Sequence, residues 1–317
     1  MSIRYNHGRN TAWRRFVHQV QKALPKGLRL GVWERAGMEV MQRKGYDRET
    51  PLFKAIELET RTRCNSKCSF CAANVLTDQR PDIYMPDALY EKILDELGEM
   101  KFAGNIRFFV NNEPLLDKRT PAFIRMAKVQ VPTATTEVHT NGLKLNPRSG
   151  RELLEAGLDH LYINNYTETG AMHPGVRKFL DEVAPDFPDC DIVYHMRLLD
   201  EQLSNRAGTA PNAAATSEPL SLPCVLPFEE IVVTADGRVT ICCQDHYFDA
   251  AVGNVNTESL QDIWRKPAFE ALRSHLRKAD RSQHPLCSIC DHRGFKDEHL
   301  PHGPNLANKI AGQLFHN

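Results

Sequence analysis

Between residues 55 and 198 short runs of apolar and β-branched residues alternate with longer segments whose apolar positions recur every three or four residues. The runs AIELE (55–59), NIRFFV (105–110), TTEV (135–138), HLYIN (160–164) and IVYHMRL (192–198) predict strands. Helical spacing fills the intervals: MPDALYEKILDELGEM (85–100), opened by Pro86 and Asp87, and stretches near 119–128, 149–156 and 175–183. Strand and helix in regular succession predict a parallel α/β architecture of five or six βα units. No sequence repeat accompanies the alternation.

The pattern stops near residue 200. DEQLSNRAGTAPNAAATSEPLSLP (200–223) has the Ala, Pro, Ser and Asn content of a linker or lid, and a domain boundary is expected there. Beyond it, FEEIVVTADGRVTICC (228–243) carries two β-rich runs around Asp236-Gly237, a hairpin signal. One helix, SLQDIWRKPAFEALRSHLRKA (259–279), and then CSIC complete this smaller unit. The expected organisation is a helical extension (1–50), an α/β barrel unit (51–205), a linker or lid (206–223), a hairpin and helix unit (224–300) and a tail (301–317). Within the extension Trp13, Phe16, Val17, Val20 and Leu24 share one helical face. One short stripe suits packing on the barrel better than membrane attachment.

Charge narrows the partner. Lys plus Arg and Asp plus Glu both number 40, so no global field points to nucleic acid, and a small molecule is the expected partner. No long apolar span occurs, and MSIRYNHGRNTAWRRFVHQVQ lacks the apolar core of a secretory signal, so a cytoplasmic location away from membranes is expected. In that reducing setting nine cysteines are more readily metal ligands or catalytic thiols than disulfides.

RTRCNSKCSFCAANV (61–75) places Cys64, Cys68 and Cys71 directly after the first strand, at the mouth where parallel barrels hold their active sites. Three thiolates can hold three irons of a cubane cluster and leave the fourth open, whereas structural zinc wants a closed set of four ligands. The C-x3-C-x2-C spacing, with aromatic Phe70 before the third cysteine, resembles the signature of the radical SAM superfamily. NNEP (111–114) is similar to that family's GGEP segment, with Asn111-Asn112 in place of two glycines, and TNG (140–142) matches a further element. Asn164 and Asn165 fall where the family places polar groups near the ribose. The resemblance implies a partial (β/α)6 barrel and a [4Fe–4S] cluster on the three cysteines. It also implies S-adenosylmethionine against Phe70, Asn112, Glu113, Thr140, Asn141 and Asn164, and a flavodoxin or ferredoxin-type electron donor. His139 reads as a packed or capping residue.

Cys224, the DGRVTIC hairpin ending at Cys242, VGNVNTESLQDIW (252–264) and Cys287-x2-Cys290 resemble the shortened SPASM module called a twitch domain. That implies an auxiliary [4Fe–4S] cluster closed by four ligands, with Cys242 favoured over Cys243; a zinc ribbon is the alternative. The spacing is similar to that of an aminocyclitol-oxidising member of the superfamily. The resemblance therefore implies hydrogen abstraction by a 5′-deoxyadenosyl radical from a sugar or aminocyclitol-like alcohol, leaving a ketone. Arg206 is a candidate for binding the substrate, and Asp245 or His246 for taking the hydroxyl proton. A thiol at Cys190 or Cys243 would instead make an epimerase. Peptide modification, an iron–sulfur electron carrier and a zinc-stabilised binding module complete the alternatives.

Overall fold

The computed structural model describes residues 3–6, 26–201 and 203–295. The aromatic stripe at 13–24 and the tail at 301–317 lie outside the described residues. Five strands follow the expected runs: β2 (Ala55–Leu58), β3 (Asn105–Arg107), β4 (Thr135–Thr140), β5 (His160–Thr167) and β6 (Asp191–Leu198). Each pairs in parallel with the next in sequence. Helices Asp87–Glu99, Thr120–Gln130, Pro147–Glu155 and Pro174–Glu182 link them and bury one apolar face each, including Ile93, Leu97, Phe123, Leu153 and Phe179.

Period-two alternation sends Ile56, Ile106, Val138, Leu161 and Ile163 into that core. The opposite parity sends Glu57, Arg107, Glu137 and Tyr162 into the concave interior, where Arg107 pairs with Glu57 (3.3 Å) and Glu137 (3.5 Å). Apolar residues thus hold the helices, and the polar ones line the inside of the curve. The sheet stays open, in the order β1-β6-β5-β4-β3-β2-β7-β8-β9.

Three arrangements differ from the sequence expectation. The amino-terminal segment is not wholly helical: Arg4–Asn6 forms β1, parallel to the free edge of β6, ahead of a helix at Lys26–Arg43. Three residues are too short to give a strand signal of their own. The hairpin strands β7 (Glu230–Val233) and β8 (Arg238–Thr240), with β9 (Ala251–Asn254), continue the barrel sheet, because β7 pairs in parallel with β2. The expected single helix at 259–279 is two, Leu260–Trp264 and Pro267–Arg277. Pro267 has no N–H to extend the first helix, and Lys266 turns to an extended ψ of 139° before it. Fully buried Arg273 closes the corner, its guanidinium 3.9 Å from the Trp264 ring and its Nε donating to Pro227 O at 2.7 Å.

Candidate active site

At the carboxyl ends of the parallel strands lies a cavity of about 460 Å³. The loop after β2 supplies Cys64, Cys68, Phe70 and Cys71 to its wall, and later strand ends supply Asn112, Glu113, Thr140, Asn141 and Asn164. Backbone bonds wind that loop: Val75 N donates to Ser66 O (2.9 Å), and Asn74 Nδ2 donates to Cys68 O (2.9 Å). Ser66 Oγ lies 3.0 Å from Cys68 Sγ, and Asn141 Nδ2 donates to Cys64 Sγ at 3.6 Å. Burial, then the nearby Glu113 charge, pushes the Cys64 thiol up to about 12, and burial pushes Cys68 up to about 11.

Glu113 is fully buried and has three donors: Thr140 Oγ1 (2.7 Å), Asn141 N (2.8 Å) and Leu115 N (3.0 Å). Among the described residues no cation balances it, and burial raises its carboxyl to about 7. Beside it, Asn112 Oδ1 accepts from Val110 N (2.9 Å), while its buried Nδ2 has no partner among the described residues. Asn111 faces the other way and accepts from Arg206 Nη2. The pair of asparagines thus divides its work, one toward the cavity and one bracing its rim. Strand alternation divides Asn164 and Asn165 similarly. Asn164 lines the cavity, whereas fully buried Asn165 donates to Ala171 O (2.8 Å) and accepts from His173 N (2.8 Å).

Cys224, Cys242, Cys287 and Cys290 gather beside the hairpin, Cys242 within reach of the Cys224 charge and Cys287 within reach of Cys224 and Cys290. Burial pushes Cys224 up to about 11 and Cys287 up to about 12. Cys242 and Cys243 share a hydrogen bond that raises the first and lowers the second. Cys243 lies within reach of Glu57, Glu230 and Arg206. Neither cysteine group has three sulfurs within 4.8 Å of one another; among the described residues that closeness occurs at Glu230, Cys242 and Cys243. Tetrahedral zinc draws its sulfurs to roughly 3.8 Å of one another, from a Zn–S bond of about 2.3 Å. Sulfurs set wider than that fit a larger cluster.

Family models agree with these two groups. One described as the radical SAM superfamily matches residues 58–165, and one described as the SPASM iron-sulfur cluster-binding domain matches residues 224–291. The S-adenosyl-L-methionine-dependent 2-deoxy-scyllo-inosamine dehydrogenase of Niallia circulans is 30% identical over 247 residues, 78% of this chain and 96% of that protein. The chain belongs to the radical SAM superfamily. A crystal structure of BtrN in complex with AdoMet and 2-DOIA superposes on this radical SAM protein with a TM-score of 0.67 at 29% identity, over 77% of this chain and 95% of that one. The selenomethionine form of BtrN in an open conformation gives 0.57 at 25% identity, over 77% and 94%. The dehydrogenase relative makes this chain an enzyme, an oxidoreductase, and its radical SAM and SPASM regions indicate two [4Fe–4S] clusters and S-adenosylmethionine, which the two thiol groups and the Asn112 amide fit.

The structure does not bring every candidate to this radical SAM cavity. Asp245 is consumed by the turn after β8, accepting from Thr240 Oγ1 and from the backbone N–H of Asp249 (3.1 Å) and Ala250 (2.9 Å). His246 is fully buried with its Nε2 3.6 Å from Asp78, away from the cavity wall. Cys190 precedes β6, at the opposite end of that strand from the mouth, in a buried setting that raises its thiol to about 12. Arg206 does line the cavity, in a left-handed backbone conformation (φ 49°), with Nη2 also donating to Cys243 O (3.1 Å). His139 is packed, but it is packed into the cavity wall. Its ring lies between Phe109 (3.9 Å between centroids) and Tyr162 (4.4 Å), and Nε2 is hydrogen-bonded to Glu137. The signal available in sequence was its parity with Glu137 on an interior-facing strand. No helix among the described residues is long and apolar enough to cross a membrane.

Proposed function

We propose that this enzyme oxidises a secondary alcohol of a sugar or aminocyclitol-like molecule to a ketone. The observation that carries the reading is the combination of an open three-thiol group at the cavity with a second, four-thiol group that leaves no ligand position for substrate. The dehydrogenase of Niallia circulans, matched over nearly its whole length, supports it. Cys64, Cys68 and Cys71 would hold one cluster, and Cys224, Cys242, Cys287 and Cys290 the other. When bound, these groups and S-adenosylmethionine supply a 5′-deoxyadenosyl radical that removes a hydrogen atom and an acceptor for one electron.

The chain's own residues place and shield the reactants. Glu113 is held by three donors where a cationic amino group would relieve its buried charge, and Asn112 Nδ2 offers a donor beside it. Phe70, tilted against Tyr166 at 5.3 Å, closes the wall behind the third cysteine against water. Arg206, fixed through Asn111 and Cys243 O, presents a guanidinium to substrate hydroxyls from the hairpin side. With Ser204 and Gln244 on the same wall, the lining suits a polyol better than an apolar group.

The decisive experiment incubates anaerobically reconstituted enzyme with dithionite, S-adenosylmethionine and 2-deoxy-scyllo-inosamine, then with a panel of aminocyclitols and inositols. Ketone and 5′-deoxyadenosine are expected in equal amounts. Deuterium gained at the abstracted carbon in heavy water, with no carbonyl formed, would replace the dehydrogenase with an epimerase.

A further inference from the structure

Alcohol oxidation leaves a proton to be placed as well as an electron, and the residues first suited to receive it, Asp245 and His246, are away from the cavity. Of the titratable side chains that do line it, Cys64, Cys68 and Cys71 are cluster ligands and His292 lies two residues from Cys290. Glu113 is engaged by three donors, burial raises the Tyr166 hydroxyl far beyond its ordinary range, and Arg206 has only donors to offer, two of its bonds going to Asn111 and Cys243 O. Among the described residues His139 is the remaining group.

We propose that His139 is the catalytic proton acceptor of the reaction, oriented by Glu137, which is a positioning residue. The proposal rests on the dehydrogenase reading above. Neutral imidazole with Nε2–H directed at the Glu137 carboxylate carries its lone pair on Nδ1, so the carboxylate selects the basic nitrogen. Phe109 and Tyr162 hold the ring from both faces, which fixes its plane against the cavity. Glu137 is itself held by Arg107 (3.5 Å), which also meets Glu57 (3.3 Å) and Glu230 (3.4 Å) across β2, β3, β4 and β7. These partners fix the Glu137 carboxylate beside the ring, where it can stabilise an imidazolium.

The step balances as follows. Hydrogen abstraction leaves a carbon radical bearing a hydroxyl; its O–H bond breaks and the proton passes to His139 Nδ1. The C=O bond completes as one electron leaves to the oxidised auxiliary iron–sulfur cluster. Two neighbours of the ring, His195 and Arg107, do not compete for that proton. Burial, then the Arg197 and His139 charges, lowers His195 to about 4, so it stays neutral, and Arg107 stays cationic.

The test compares wild type with His139→Gln, each checked for iron and sulfide content, using 2-deoxy-scyllo-inosamine and the aminocyclitol panel as probes. The variant is expected to form 5′-deoxyadenosine in its first turnover while ketone per 5′-deoxyadenosine falls about 100-fold. A substrate radical should then accumulate in the electron paramagnetic resonance spectrum. Added imidazole should restore ketone to His139→Gly with a pH dependence that follows the imidazole. Glu137→Gln should lower the ratio about tenfold and displace the pH profile, and Glu137→Asp should recover most of it. A ratio in His139→Gln within about threefold of wild type overturns the proposal. If His139→Gln loads no iron, Glu137→Gln carries the test, and an unchanged ratio and pH profile there overturn it equally. No ketone from wild type on any probe fails the dehydrogenase reading itself, and the proton acceptor with it.

Discussion

Glu113 concentrates the electrostatics of the site in one side chain. Its folded carboxyl titrates near 7 against 4.5 for an ordinary one, because burial penalises the anion more than three donors relieve it. Since the folded value is the higher, the neutral form favours folding. Before cofactor loading, this contribution is full below pH 4.5 and is lost as the pH rises through about 7. A shift from 4.5 to about 7 is worth on the order of 3 kcal/mol. Urea unfolding of the cluster-free chain at pH 5 and pH 8 should show stability falling with pH. Glu113→Gln should flatten that fall, and an unchanged slope in the variant would remove Glu113 as its source. At this scale much was legible. Cys64, Cys68 and Cys71 were legible through their spacing, and Glu113 and Asn141 through the resemblance carried by NNEP and TNG; each follows a strand and lines the one cavity. Asp245 and His246 were misjudged because a position after a hairpin strand does not reveal whether a carboxylate is consumed by its own turn. His139 was passed over for the opposite reason, since being packed does not prevent a ring from facing a cavity.

Among the elements, the β7–β8 hairpin sets where Cys242 lies. Its turn needs Gly237 at φ 88°, where a Cβ would meet Asn256 Nδ2 at 2.3 Å, and Asp236 accepts from Arg238 N (3.3 Å) and Arg238 Nε (2.9 Å). Gly237→Ala should destabilise the chain by about 1–3 kcal/mol, seen as a lower urea midpoint at unchanged slope. It should also reduce iron loading at the hairpin cysteines while sparing the loop after β2. The Asp-Gly turn was readable because few other pairs adopt that backbone. The break at Pro267 was readable in principle but was overridden by a continuous apolar stripe on both sides. Strand β1 gave no such signal: it exists because β6 offers an unpaired edge, which is a property of the rest of the sheet.

In the whole molecule a single sheet runs from β1 to β9, so the cavity loop and the hairpin cysteines are fixed to one frame. Their chemistry should nevertheless separate. In Cys287→Ser/Cys290→Ser, iron should fall to about half, and cleavage of S-adenosylmethionine to 5′-deoxyadenosine should continue while ketone is lost. Iron analysis and product quantitation decide it, and ketone at the wild-type level would remove the second thiol group from electron transfer. The sheet's order also imposes a schedule on synthesis. Residues 4–6 leave the ribosome long before residues 193–195, their backbone partners in the sheet among the described residues, and Arg4 meets Asp191 across 187 positions of chain. Among the described strands β1 is therefore made before the others yet is among the last of the parallel set to dock, because β6 must form first, so a nascent chain stalled before residue 191 exposes an unfinished sheet to its neighbours and to chaperones.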